Sequence, residues 1–153
     1  MGRDISRDNP NGPIYMVCIL KGAFVFLADL VRAIETPARI EFVGISSYGK
    51  SKSSSGEVKL TRDLDTSVEG CDVIVVEDIV DSGITLSYLV QLFKQRKPRS
   101  LRIATLLDKP DRRVRPVHVD YVGFTIPDEF VVGYGLDFGE DYRNLKHVCV
   151  LEE

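Results

Sequence analysis

Apolar positions along this chain fall into short unbroken runs and helical stripes, separated by polar turns. Ile14 to Leu20 is apolar throughout, which predicts a central strand covered on both faces. Phe24, Leu27, Leu30, Val31 and Ile34 then recur at helical spacing over Phe24 to Ile34. Strand, tight Lys21-Gly22 turn and helix make the first half of a βαβ unit. Arg39 to Ser46, with Ile40, Phe42 and Val43, predicts the next strand. Ser47 to Gly56 is rich in Ser, Gly and Lys and has no apolar period, so it reads as a polar loop, with Val58 to Leu60 as its return strand. Val73 to Val76 predicts another buried strand. Thr85 to Lys97 predicts a helix buried through Leu86, Leu89, Val90, Leu92 and Phe93 and ended by Pro98. Leu101 to Leu107 predicts a strand, and Val119 to Thr125, Phe130 to Tyr134 and His147 to Leu151 three more, joined by turns rich in Pro, Asp and Gly. Alternating strands and helices followed by strands alone imply a parallel α/β core with an appended antiparallel piece, in one domain spanning residues 1–153.

Composition narrows the classes without choosing among them. The chain has 153 residues, 44% hydrophobic and 28% charged, as a soluble globular domain does. Its net charge of -3 leaves no basic face for a nucleic acid. No stretch approaches the roughly 20 apolar residues of a membrane helix, and Met1 to Asp4 leads into no signal-peptide core. Cys18, Cys71 and Cys149 lack the paired spacing of a zinc site or disulfide framework, so they read as buried thiols in a reducing compartment, and a cytoplasmic protein is expected.

Candidate chemistry concentrates between Val73 and Thr85. The apolar strand runs into Glu77 and Asp78, and open α/β sheets bind ligands beyond the carboxyl ends of their strands. Ser82, Gly83 and Thr85 then open a helix, where free N–H groups, two hydroxyls and the dipole suit a phosphate. Acids beside a phosphate cradle make sense if Glu77 and Asp78 hold sugar hydroxyls or a hard cation on the same ligand. Each residue also has a plain structural reading: Asp81 as a helix N-cap, Glu77 and Asp78 as strand-end solvation.

The ordered set resembles the phosphoribosyl-pyrophosphate (PRPP) motif of type I phosphoribosyltransferases. Further segments narrow the resemblance. Leu20-Lys21-Gly22-Ala23, Ser47-Tyr48-Gly49, Glu77-Asp78 through Thr85, Leu107-Asp108-Lys109-Pro110, Phe130-Val131-Val132-Gly133-Tyr134 and Leu136-Asp137 occur in the order of the hypoxanthine-guanine phosphoribosyltransferase family. The resemblance runs from about Ile14 to Leu151. It implies a parallel sheet flanked by helices with a small antiparallel hood, and Mg²⁺-dependent transfer of phosphoribosyl from PRPP to hypoxanthine or guanine, giving IMP or GMP. Family members usually carry more residues ahead of Gly2 to Asn9, which help build the hood.

The resemblance also assigns roles. Lys21 and Gly22 form the pyrophosphate turn, often with a non-proline cis peptide, and Arg143 lies near pyrophosphate. Glu77 and Asp78 hold the ribose hydroxyls and a magnesium ion, with Asp137 at a second magnesium. Asp81, Ser82, Gly83, Ile84 and Thr85 surround the 5'-phosphate, and Asp81 is also the candidate base, or electrostatic partner, for the purine imidazole. Lys109 donates to a 6-oxo group, Phe130 stacks on the purine, the backbone of Val131 reads its edge, and Asp137 borders the same pocket. Ser47 and Tyr48 belong to a lid formed by Ser47 to Gly56. On residue type alone, Lys21 and Lys109 are ordinary surface lysines, Phe130 a core aromatic and the loop a linker. His118 and His147 match no family position and read as structural. A homodimer or homotetramer is implied. Two rivals stand beside this: a non-catalytic nucleotide sensor on the same fold, and a transferase for xanthine or another base.

Overall fold

The computed structural model describes residues 1–47 and 58–152. Among these, the strands are β1 (Ile14–Leu20), β2 (Ala38–Ser47), β3 (Val58–Arg62), β4 (Asp72–Val80), β5 (Ser100–Asp108), β6 (Tyr121–Thr125), β7 (Val131–Val132) and β8 (Cys149–Val150). The helices are α1 (Gly2–Asp8), α2 (Phe24–Arg32) and α3 (Ile84–Gln95). The main sheet has the order β3-β2-β1-β4-β5-β6, parallel except for the β2–β3 pair, while β7 and β8 pair antiparallel on their own.

Side-chain alternation along β1 sends Ile14, Met16 and Cys18 to one face and Tyr15, Val17 and Ile19 to the other. The first face packs under α2 through Phe26, Leu27 and Leu30, and the second under α3 through Leu86, Leu89 and Phe93. Each such fully buried aliphatic or aromatic side chain stabilises the fold by about 1.5–3 kcal/mol, which is why strands apolar on both faces need helices on both sides.

From β1 the chain passes through α2 to β2 on one flank, and from β4 through α3 to β5 on the other. The order therefore reverses between β1 and β4, and a crevice opens beyond their carboxyl ends.

Several expectations change. β4 continues past Val76 to Val80, because its pairing with β5 persists at Ile79↔Leu107 and Val80↔Asp108; Glu77 and Asp78 thus lie within the strand, not beyond it. β6 pairs parallel with β5 and extends the core sheet, leaving only β7 and β8 for the antiparallel piece. Helix α1 was not legible as an element. It is anchored by buried Ile5 and by its C-terminal residues, with Arg102 donating to Asn9 Oδ1 at 2.8 Å and Tyr121 Oη to Asp8 Oδ2 at 2.8 Å.

The cysteines divide: Cys18 is buried, Cys71 partly so, and Cys149 exposed on β8. Burial, then Glu77 and Asp78, push the Cys18 thiol up to about 12. Since the thiolate is the nucleophile, iodoacetamide at neutral pH is expected to label Cys149 in the folded protein and spare Cys18. Peptide mass mapping checks this, and equal labelling of the two would contradict the structure.

Candidate active site

The crevice divides into three adjoining cavities that share Asp78 as a lining residue. The first, about 130 Å³, is enclosed by the turn from Asp81 to Thr85 together with Glu77 and Asp78. Gly83 takes φ of 80°, a left-handed conformation that glycine adopts without steric cost, and it is the N-cap of α3. Asp81 is therefore not the cap. A side chain at Gly83 would also run into the Arg115 carbonyl. The turn is held from behind, because Ser82 O accepts from the amides of Val114 and Arg115 at 2.8 and 3.0 Å. Ser82 Oγ accepts from the Ile84 amide at 3.3 Å. With the Thr85 hydroxyl and the N-terminus of a twelve-residue helix beside it, this turn can receive an anionic group.

The second cavity, about 260 Å³, lies between the Lys21-Gly22 turn, Glu77, Asp78, Thr85, Asp137 and Arg143. The Leu20–Lys21 peptide is cis. Gly22 leaves no room for a Cβ, which would overlap the Asp78 carboxylate, and its own carbonyl packs against Gly135. Lys21 is 65% exposed, and its Nζ lies 2.6 Å from Glu140 Oε2. Arg143 donates from Nη1 to Gly135 O at 2.8 Å and from Nη2 to Glu140 at 3.0 Å, with Asp137 Oδ1 3.1 Å away. Its Nε is buried without a hydrogen-bond partner, so the guanidinium keeps an unused donor.

The third cavity, about 210 Å³, is bounded by Asp78, Ile79, Asp81, Lys109, Phe130, Val131, Leu136 and Asp137. Two plain readings fail here. Lys109, expected at the surface if structural, is only 6% exposed; its amide donates to Val80 O at 2.9 Å, which ties it to the end of β4. Phe130, expected in the core if structural, is 52% exposed and meets Phe138 edge to face at 5.7 Å. An exposed ring, a buried ammonium and the buried strand residue Val131 can together receive a flat heteroaromatic ligand.

Glu77 is electrostatically perturbed by its place in the crevice. Burial first, and Asp78 second, push its carboxyl well above the ordinary carboxylate range, although its Oε1 accepts from the Asp78 amide at 3.0 Å. Adjacent carboxylates under this mutual repulsion, all oxygen donors, fit a hard divalent cation. Among the described residues no three acids, histidines or cysteines form a ready cage. A cation there would complete its shell with water and substrate oxygens, as Mg²⁺ commonly does.

Sequence reasoning missed three charged residues at this site. Arg112 Nε lies 3.2 Å from Asp81 Oδ1, its Nη1 3.5 Å from Asp128, and Asp128 in turn 3.8 Å from Lys109 Nζ. Glu140 is the third. The spacing Asp137, Glu140, Arg143 was a signal for it, as was the position of Arg112 in the turn after Lys109. Of the lid residues, Ser47 ends β2, while Tyr48 and the loop to Gly56 lie outside the described residues. His118 and His147, read as structural, are both exposed, and His118 Nε2 lies 3.4 Å from Asp120.

Residues 3–139 match the family described as a phosphoribosyl transferase domain. The hypoxanthine-guanine phosphoribosyltransferase of Bacillus subtilis is 58% identical over 152 residues, covering 99% of this chain and 84% of the relative. A crystal structure of a hypoxanthine phosphoribosyltransferase from Staphylococcus aureus superposes with a TM-score of 0.94 at 46% identity, covering 99% of this chain and 82% of that one. The Trypanosoma cruzi hypoxanthine phosphoribosyltransferase in complex with the product IMP gives 0.92 at 42% identity, covering 99% and 85%. The described residues contain no helix long and apolar enough to cross a membrane. With this similarity over nearly the whole chain, the type I phosphoribosyltransferase fold is established, and the chain belongs to the hypoxanthine-guanine phosphoribosyltransferase family.

Proposed function

We propose that this protein transfers the 5-phosphoribosyl group of PRPP to N9 of hypoxanthine or guanine, releasing pyrophosphate and forming IMP or GMP. The observation that carries the reading is the meeting of three cavities at Asp78, one suited to a phosphate, one to a polyphosphate and one to a flat base. Their arrangement matches a substrate with a monophosphate and a pyrophosphate on opposite sides of a sugar.

In this reading Asp81, Ser82, Gly83, Ile84 and Thr85 take the 5'-phosphate, and Glu77 and Asp78 orient the ribose hydroxyls. Lys21, Gly22 and Arg143 take the pyrophosphate. Lys109 donates to the 6-oxo group, Phe130 stacks on the ring, and the Val131 backbone meets its edge. Asp81 accepts proton density from the imidazole as the C1'–N9 bond forms and the C1'–O bond to pyrophosphate breaks. Glu77 and Asp78 would hold one magnesium ion and Asp137 a second, which when bound would supply charge compensation for the leaving pyrophosphate. Ser47 and Tyr48 begin a lid that keeps water from the oxocarbenium-like transition state. Residues 1–153 act as one domain, assemble as a homodimer or homotetramer, and work in the cytosol, a reading supported by three cysteines without disulfides.

The test is incubation with PRPP, Mg²⁺ and a panel of hypoxanthine, guanine, xanthine and adenine, followed by identification of the nucleotide formed. IMP and GMP are expected, with turnover abolished by excess EDTA and restored by Mg²⁺. Full turnover in EDTA would remove the cation from the mechanism, and product from xanthine alone would reassign the base.

A further inference from the structure

We propose that Glu140 is a built-in counter-ion of the second cavity, an internal anion that the pyrophosphate group must displace. The inference rests on the assignment of that cavity to pyrophosphate. The Glu140 carboxylate spans both of its cations, with Oε2 2.6 Å from Lys21 Nζ and Oε1 3.0 Å from Arg143 Nη2. Lys21 and Glu140 lie 119 positions apart in the chain, so only folding brings them together.

The backbone is shaped for this contact. Glu140 has φ of 75°, a left-handed conformation uncommon outside glycine, in a turn closed by reciprocal amide–carbonyl bonds between Phe138 and Asp141 at 3.1 Å. Asp137 Oδ2 accepts from the Glu140 amide at 2.9 Å, which fixes the turn beside the cavity. Glu140 itself is 63% exposed and free to swing into solvent.

Charge counting gives the consequence. Lys21 and Arg143 stand against four carboxyl groups, Glu77, Asp78 and Asp137 around the cavity and Glu140 beside it, so the cavity carries no surplus of positive charge before pyrophosphate arrives. An arriving pyrophosphate exchanges one anion for another, and Glu140 can return to the two cations as the product leaves. The carboxylate thus limits product affinity and hastens release while keeping Lys21 and Arg143 gathered.

Calorimetric titration of inorganic pyrophosphate with Mg²⁺ into wild type, Glu140→Gln and Glu140→Asp tests this, with IMP as a control ligand. Glu140→Gln is expected to bind pyrophosphate about 3- to 10-fold more tightly, the scale of losing two exposed ion-pair competitors. Its affinity should also depend more steeply on salt, Glu140→Asp should fall between the two, and IMP affinity should not change. Pyrophosphate affinity that is unchanged or weaker in Glu140→Gln overturns the proposal. So does a parallel change in IMP affinity, which would mark a merely structural residue. If pyrophosphate binds none of the three proteins while IMP binds all, the assignment of the cavity fails and the counter-ion role with it.

Discussion

Replacing Lys109 by alanine is expected to collapse the discrimination between hypoxanthine and adenine. An ammonium only donates, so it suits a 6-oxo group and leaves the 6-amino group of adenine without an acceptor. A site that desolvates such a donor can reject the wrong base by about 10⁴-fold or more, because the mispairing strands a buried polar group. The geometry meets that condition: Lys109 is 6% exposed, its amide is fixed to Val80, and among the described residues the carboxylate within 4 Å of its Nζ is Asp128, at 3.8 Å. The substitution also leaves Asp128 half-exposed and solvated, so the fold is not burdened with a buried lone charge. The measurement is kcat/KM for both bases in both proteins. Lys109→Ala should lose most activity towards hypoxanthine and far less towards adenine. An unchanged ratio would move base selection elsewhere in the pocket.

The second large effect concerns Asp81→Asn. Asp81 borders both the phosphate turn and the base pocket, as Asp78 does, and in the proposed mechanism its carboxylate meets the purine imidazole while the adjoining turn holds the phosphate. A positioned acid or base contributes typically about 10²–10⁴-fold, so kcat should fall by that factor with PRPP affinity comparatively intact. The N-cap of α3 is Gly83, without side-chain help from Asp81, so loss of the carboxylate should not loosen the helix. A melting temperature near that of wild type is thus expected alongside the lost turnover. A near-normal kcat would reduce Asp81 to the partner of Arg112.

Sequence alone determined the features whose causes are local. The unbroken apolar run of β1 and the helical stripe of Leu86, Leu89 and Phe93 record which side chains must leave water, and the structure buries β1 on both faces of the sheet and the stripe against one of them. The turn from Asp81 to Thr85 was legible because its donors are consecutive in the chain. The order of motifs from Lys21 to Asp137 carried the family for the same reason, each segment being contiguous.

Tertiary structure alone decided the rest. Helix α1 is a seven-residue, largely polar segment, below the length at which a helix is stable by itself; its anchors Arg102 and Tyr121 are more than ninety positions away. β6 could not be recognised as parallel, since the direction of pairing depends on where β5 lies and not on the residues of β6. The strand end at Val80 was set by its partner in the same way. A lysine in a turn is normally solvated and a phenylalanine beside a strand normally buried, yet Lys109 and Phe130 reverse these tendencies because both face the pocket at the end of the sheet. The contacts of Arg112 with Asp81 and of Glu140 with Lys21 are equally invisible in one dimension. Hydrophobic period and turn chemistry act between near neighbours and are written in the chain, whereas desolvation and charge pairing depend on which distant segments the sheet brings together.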